Sequence, residues 1–170
     1  RVGGRVFVAV TGGAMTSPEV VQMLEDTFGC VMGGDGYGTT EAGSIASGGF
    51  VRQGIDVHLR DLPEFGFTNV DKPFPRGEVC VHSETTIQGY YNNAEANQAA
   101  FFTKGGKRYY RTGDIGELLP PLHEGLGAQP RLRLIGRCKE VFKLGQGLFV
   151  SPSHLENIFE IDCPSIHQMF

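Results

Sequence analysis

Apolar and polar positions alternate in two different styles along this chain. Val6-Phe7-Val8-Ala9-Val10 is a short apolar, β-branched run, which predicts a buried strand. It leads into Thr11-Gly12-Gly13-Ala14, read as a loop. Ser17-Pro18-Glu19 has the chemistry of a helix start, with Ser as N-cap, Pro at the first helical position and an acid in the first turn. Val20, Val21, Leu24 and Phe28 follow at helical spacing, and Gly29 stands where a helix stops. Cys30-Val31-Met32 predicts a second strand, running into a second glycine loop. Strand, loop, helix, strand, loop is the grammar of a doubly wound α/β domain, whose ligands bind beyond the carboxyl ends of strands.

After about Gly49 the period changes to two. Ile55 to Arg60 and Gly77 to His82 alternate between turn residues and predict antiparallel strands, hence a barrel or sandwich-like part. Asn93 to Phe101 predicts a short helix, and Tyr109 to Leu119 a strand and turn. A loop rich in Pro and Gly (Pro120, Pro121, Gly125, Gly127, Pro130) precedes a strand at Leu132 to Ile135. A hairpin over Val141 to Val150 and a helix from Ser153 follow.

Composition narrows the function classes. With 40% hydrophobic and 20% charged residues, 170 residues can fold around a real core. A net charge of -4 demands no basic face, which argues against nucleic acid as a partner. No apolar run reaches the ~18 residues of a membrane span. The four cysteines form no C-x-x-C and the five histidines are scattered, so free thiols in a reducing compartment are expected and a zinc cage is not. Glycine is the outlier at 25 residues, about twice its usual share. The chain opens on Arg1 and ends at Phe170 without a closing element, so a piece of a longer protein is expected.

The densest chemical signal is Gly34-Asp35-Gly36-Tyr37-Gly38-Thr39-Thr40-Glu41. Glycines around a tyrosine let backbone lie against a planar ligand with the ring on its face. Thr39 and Thr40 offer hydroxyl donors to phosphate oxygens, and Glu41 offers a hard carboxylate to Mg²⁺. The plainer alternative is a solvated glycine-rich turn. It is no P-loop, because no Lys-Ser or Lys-Thr closes it. Tyr109-Tyr110-Arg111-Thr112-Gly113-Asp114 places a carboxylate, suited to a ribose diol, after a tight turn. Arg137, Lys139 and Lys143 put three cations within seven positions. Taken singly, Asp114 also suits a turn-stabilising aspartate, and the cations an exposed strand face.

Their order decides between these readings. Thr-Gly-Gly-Ala, Gly-Tyr-Gly-Thr-Thr-Glu, Arg-Gly-Glu, Tyr-Arg-Thr-Gly-Asp and Gly-Arg-x-Lys-x-x-x-Lys, in that sequence over nearly the whole chain, resemble the adenylate-forming superfamily. Pro63 to Phe67 and Asp71 to Glu78 resemble the adenylation domains of carboxylic acid reductases. Phe142 to Leu144, Gly147 and Val150 to Asn157 resemble those reductases and long-chain fatty acyl-CoA ligases.

The resemblance implies an α/β fold with three parts. Residues 1–138 would be the rear of the large AMP-binding domain, with an α/β portion at 1–49 and an antiparallel β-barrel subdomain at 50–138. Residues 139–170 would be the hinge and the opening of the small α+β C-terminal domain. It implies that Gly12, Gly13 and Ala14 line the adenine and acyl pocket, with Asp35, Gly36 and Gly38 in the nucleotide site. Tyr37 would stack on adenine, Thr40 would hold the α-phosphate and Glu41 would ligate Mg²⁺. Asp114 and Arg137 would hold the ribose, Lys139 would be the hinge and Lys143 would help position the thiol acceptor. The implied cofactors are ATP and Mg²⁺, with coenzyme A or carrier-bound phosphopantetheine as acyl acceptor. The implied substrate is a fatty acid or other carboxylic acid, in the cytoplasm or peripherally at a membrane surface.

The family's Ser/Thr/Gly-rich phosphate loop and its C-terminal lysine are missing from these residues, so the chain alone is expected to be inactive. A long-chain fatty acid–CoA ligase is the first reading, and a reductase adenylation domain the second. A non-catalytic nucleotide-binding module is a rival from another class. A nicotinamide oxidoreductase would rest on the glycine runs alone.

Overall fold

The computed structural model describes residues 5–13, 18–122, 128–146, 149–150, 152, 155–156, 159 and 163. The side chains at 18–19, 34–35, 143 and 149 lie outside that description. Strand β1 (Val8–Gly12), helix α1 (Pro18–Phe28) and strand β2 (Val31–Thr39) form the expected βαβ unit, with β1 and β2 parallel. Pro18 does open the helix, while Ser17 lies outside the described residues. Gly29, at φ 64°, ends it in the left-handed conformation and donates its N–H to the Glu25 carbonyl.

Two expectations need correction here. The glycine run is not a loop: Gly33 to Thr39 is strand, paired with β1 on one side and with antiparallel β3 (Gly43–Ser47) on the other. Glycine is needed there for close approach, since a Cβ on Gly12 would lie 2.9 Å from the Gly36 carbonyl oxygen. A Cβ on Gly38 would likewise run into the Gly43 backbone. Nor is β1 buried: Val8 and Val10 are about 60% and 62% exposed. Their β-branched side chains favour the strand, but burial needs a covering layer that the described residues do not supply.

Strand β4 (Phe50–Val51) joins this unit to the β-rich part, pairing with β3 and with β9 (Arg131–Arg137). That part contains β5 (Asp56–Arg60), β6 (Arg76–His82), helix α2 (Ala94–Ala100), β7 (Phe101–Lys104) and β8 (Lys107–Leu119). All its pairings are antiparallel, as the alternation predicts. One sheet therefore runs β1-β2-β3-β4-β9-β8-β6-β5, with β7 added beside β8. The core lies mainly in the β-rich part, where Leu62, Ile115, Val79, Val81 and Cys80 are fully buried, and Ile45 of β3 is buried with them. Strands β10 (Phe142–Lys143) and β11 (Phe149–Val150) form the expected hairpin.

Strand β8 is the organising element. Its first half pairs with β7 (Phe101↔Tyr110) and its second half with β9 (Asp114↔Arg137), while β6 runs along its other edge. The turn expected within Tyr109 to Leu119 is instead a bulge inside an unbroken strand. Between the Cys80↔Arg111 and Glu78↔Ile115 pairs, β8 carries extra residues, and Gly113 there adopts φ 76°. The Thr112 hydroxyl donates to the Val79 carbonyl and accepts from the Asp114 N–H, which shapes the bulge. Asp114 thus sits where β8 exchanges one neighbour for another.

Candidate nucleotide site

The carboxyl ends of the parallel strands define the site. Gly12 ends β1 opposite Gly36, and Gly13, at φ 90°, follows it; Ala14 lies outside the described residues. Beyond that point β2 leaves β1 behind and continues through Tyr37 and Gly38 paired with β3, and a turn at residues 40–42 presents Thr40 and Glu41. Asp35 is placed by its backbone only.

Tyr37, Asp114 and Arg137, from three strands, form one chain of contacts. The Tyr37 hydroxyl donates to Asp114 Oδ2 at 2.8 Å, and Arg137 Nε lies 3.2 Å from Asp114 Oδ1. Asp114 and Arg137 face each other directly across β8 and β9, so the pair follows from register. Burial raises the Asp114 pKa above the ordinary aspartate value, although the Tyr37 hydrogen bond and the Arg137 charge work to lower it. Burial first, and the Asp114 charge next, push the Tyr37 phenol far up, so it acts as a donor. Arg137 remains largely exposed and also lies 3.9 Å from Glu140.

Glu41 occupies a separate network. Its Oε1 accepts from the Tyr90 hydroxyl at 2.9 Å, and its carbonyl accepts from the Ile87 N–H at 2.8 Å. Burial works to raise its pKa, but hydrogen bonds led by that of Tyr90 outweigh it and the net shift is downward. Glu41 therefore stays ionised. Among the described residues no three of His, Cys, Asp and Glu gather as a metal cage. A lone ionised carboxylate fits Mg²⁺ carried mainly by phosphates and water, which is how Mg²⁺ is usually bound.

Of the three cations, Arg137 is the one that the described contacts place beside Asp114. Lys139 is exposed in the turn at 138–140 that follows β9, and Lys143 is placed in β10 by its backbone only. Burial pushes the Cys138 thiol up to about 11 and the Cys80 thiol up to about 12, which disfavours either as a nucleophile. An open groove of about 420 Å³, lined by Asp56, His82, Glu84 and Lys107 among others, shares no residue with the constellation. Its Asp56 and Lys107 already pair at 2.6 Å. Tyr90, which donates to Glu41, and Tyr110, whose hydroxyl also helps to hold the Glu41 pKa down, are site residues that sequence reasoning missed. Their only advance signal is a tyrosine following Gly89 in a polar loop and a tyrosine flanking the Arg-Thr-Gly-Asp run.

No protein-family model matches the chain. Carboxylic acid reductase of Mycobacterium tuberculosis is 37% identical over 171 residues, which cover 99% of this chain and 14% of that protein. Peroxisomal long chain acyl-CoA synthetase 7 of Arabidopsis thaliana is 34% identical over 181 residues, covering 100% of this chain and 24% of that protein. The A-PCP didomain of carboxylic acid reductase from Segniliparus rugosus, solved in complex with AMP, aligns with a TM-score of 0.74 at 33% identity. That alignment covers 92% of this chain and 21% of the didomain. The chain spans about a quarter or less of the length of the curated relatives it matches.

Proposed function

We propose, from the premise that this chain belongs to the adenylate-forming superfamily, that it supplies the adenine- and ribose-binding part of an ATP-dependent enzyme activating carboxylic acids. The observation that carries this reading is the Tyr37–Asp114–Arg137 constellation at the carboxyl end of β2. A tyrosine ring beside a carboxylate and a guanidinium matches a purine joined to a ribose diol. The reaction joins a substrate carboxylate oxygen to the α-phosphorus of ATP and releases pyrophosphate, giving acyl-AMP. A thiol then takes the acyl group and AMP leaves.

In this reading Tyr37 orients the base, Asp114 accepts from the ribose hydroxyls and Arg137 holds the same ribose from the exposed side. Thr40 donates to the α-phosphate, and Glu41 holds Mg²⁺, which neutralises phosphate charge when bound. Gly12 and Gly13 leave room for the ligand beside β1. Alignment of carboxylate and phosphorus, together with fixed charges around them, accounts for the acceleration. Lys139 is the pivot between half-reactions and Lys143 serves the thiol step.

An acid–thiol ligase acting on long-chain fatty acids with free coenzyme A is the first assignment. The reductase adenylation domain, with carrier-bound phosphopantetheine as acceptor, is the second, favoured by the identity to the mycobacterial reductase. ATP–pyrophosphate exchange by the complete gene product, over acids of graded chain length, tests the activation step. Acyl-CoA formed on addition of coenzyme A supports the ligase; exchange without acyl-CoA supports the carrier thiol. Nucleotide binding with no exchange for any acid would overturn the enzymatic reading in favour of a binding module.

A further inference from the structure

Glu41 is held from outside its own turn. The loop after β6 docks on the turn at 40–42 at three points. Thr85 Oγ1 donates to the Ala42 carbonyl at 2.8 Å, the Ile87 N–H to the Glu41 carbonyl at 2.8 Å and the Tyr90 hydroxyl to Glu41 Oε1 at 2.9 Å. Tyr90 is itself clamped by α2. Asn97 Oδ1 accepts from the Tyr90 N–H at 2.7 Å, and Asn97 Nδ2 donates to the Tyr90 carbonyl at 2.9 Å. Asn93 caps that helix by accepting from the Ala96 N–H at 3.0 Å. The Tyr90 ring also rests against Phe101, which packs on Tyr110, so its direction is set from both sides. Even the glycine before it is constrained: a Cβ on Gly89 would lie 2.7 Å from Asn97 Oδ1.

A carboxylate on a turn has several rotamers, and only some of them point its second oxygen at a ligand. We propose that Tyr90, clamped by Asn97, is a positioning residue that aims the Glu41 carboxylate at the metal–nucleotide. The inference rests on the reading of Glu41 as the Mg²⁺ ligand. Tyr90 touches neither metal nor substrate in this scheme; it acts through Glu41 alone. Its bond to Oε1 fixes one carboxylate oxygen and so sets the direction in which the other faces. Outer partners of this kind typically change metal affinity by 10–100-fold when lost.

The test uses the complete gene product with Tyr90→Phe, Asn97→Ala and Glu41→Gln. Calorimetry measures the affinity for ATP with Mg²⁺ and for ATP in a chelator, and pyrophosphate exchange gives the Mg²⁺ concentration for half-maximal rate. In Tyr90→Phe, Mg²⁺-dependent ATP affinity is expected to fall about tenfold and half-saturating Mg²⁺ to rise by about the same factor. Metal-free ATP binding should change less than twofold. Asn97→Ala, which leaves the hydroxyl but frees its backbone, should shift the same quantities in the same direction by less. Wild-type Mg²⁺ dependence in Tyr90→Phe, with Glu41→Gln impaired, overturns the positioning role and leaves the Glu41 reading intact. Equal losses with and without metal also overturn it, as a merely structural bond would give. Unchanged Mg²⁺ dependence in Glu41→Gln removes Glu41 from the metal site, and this proposal with it.

Discussion

Asp114 is asked to do several things at once. It is about 8% exposed, it already accepts from Tyr37 and faces Arg137, and the proposed function adds the ribose hydroxyls. A carboxylate has about four lone-pair sites, so two acceptors remain for the diol. Asp114→Asn replaces one oxygen with an amide donor among groups that themselves donate. Losing a charge-assisted interaction of about 1.5–3 kcal/mol predicts a roughly 10–150-fold weaker ATP affinity. The wild-type preference for ATP over 2′-deoxy-ATP should shrink in the same variant, and calorimetry with both nucleotides checks it. Equal losses for the two would show that the carboxylate reads no 2′-hydroxyl. The raised pKa adds a pH dependence. As pH falls through it, Asp114 takes a proton and loses charge and acceptors, so ATP affinity should drop at a pH above the ordinary aspartate value of 3.8. Asp114→Asn should abolish that limb.

Two glycines set the geometry of strand β8 and its neighbour, for different reasons. Gly113 in the β8 bulge has open space around its absent Cβ, and only its φ of 76° demands glycine. Gly113→Ala should cost about 1–2 kcal/mol from left-handed backbone strain. Gly77, in β6, is constrained instead by contact, because a Cβ would strike the Arg60 backbone carbonyl across the β5–β6 pair. A backbone obstacle cannot swing aside, so Gly77→Ala should lower stability more than Gly113→Ala, as denaturant titration would rank them. The segment after β9 is an element-scale test of the proposed pivot. Cys138 donates its N–H to Gly113, and Glu140 and Val141 both donate to Arg137, so the chain turns tightly around Lys139. Proline locks φ near −65° and removes an N–H, so Lys139→Pro should preserve pyrophosphate exchange while reducing thioester formation. Parallel loss of both steps would sink the hinge assignment.

At the scale of the whole molecule, the site depends on a sheet that continues from the βαβ unit into the β-rich part. Glu78 in β6 is buried and binds two arginines from flanking strands, Arg60 Nε at 2.6 Å and Arg111 Nε at 3.1 Å. Both arginines are more than a third exposed, so water recovers part of what they lose. Glu78→Gln is therefore expected to cost about 1.5–3 kcal/mol, the range for hydrogen bonds to charged groups, rather than the larger figure for a fully buried pair. Its thermal unfolding midpoint should drop without a change in the Mg²⁺ dependence of ATP binding. Loss of Mg²⁺ dependence at unchanged stability would show that Glu78 acts on the site rather than on the sheet.

Element types were legible in the sequence, because they depend on neighbours within a few residues. Proline at the start of α1, glycine at its end, the Asn93 cap and the period-two runs of β5 and β6 each have a local physical cause. The order of short motifs was enough to indicate the nucleotide chemistry, since glycines, carboxylates and cations report what they can bind. What only the tertiary structure decided is whatever depends on residues far apart in the chain. Gly33 to Thr39 reads as a loop by composition, yet two flanking strands extend it into β2. Val8 and Val10 read as buried by hydropathy, yet exposure depends on what lies over the sheet. The Tyr37–Asp114 hydrogen bond joins positions 77 residues apart and the Tyr90–Glu41 bond positions 49 apart. No local pattern encodes such pairs, because their geometry is set by β8 changing partners at its bulge and by α2 clamping a loop.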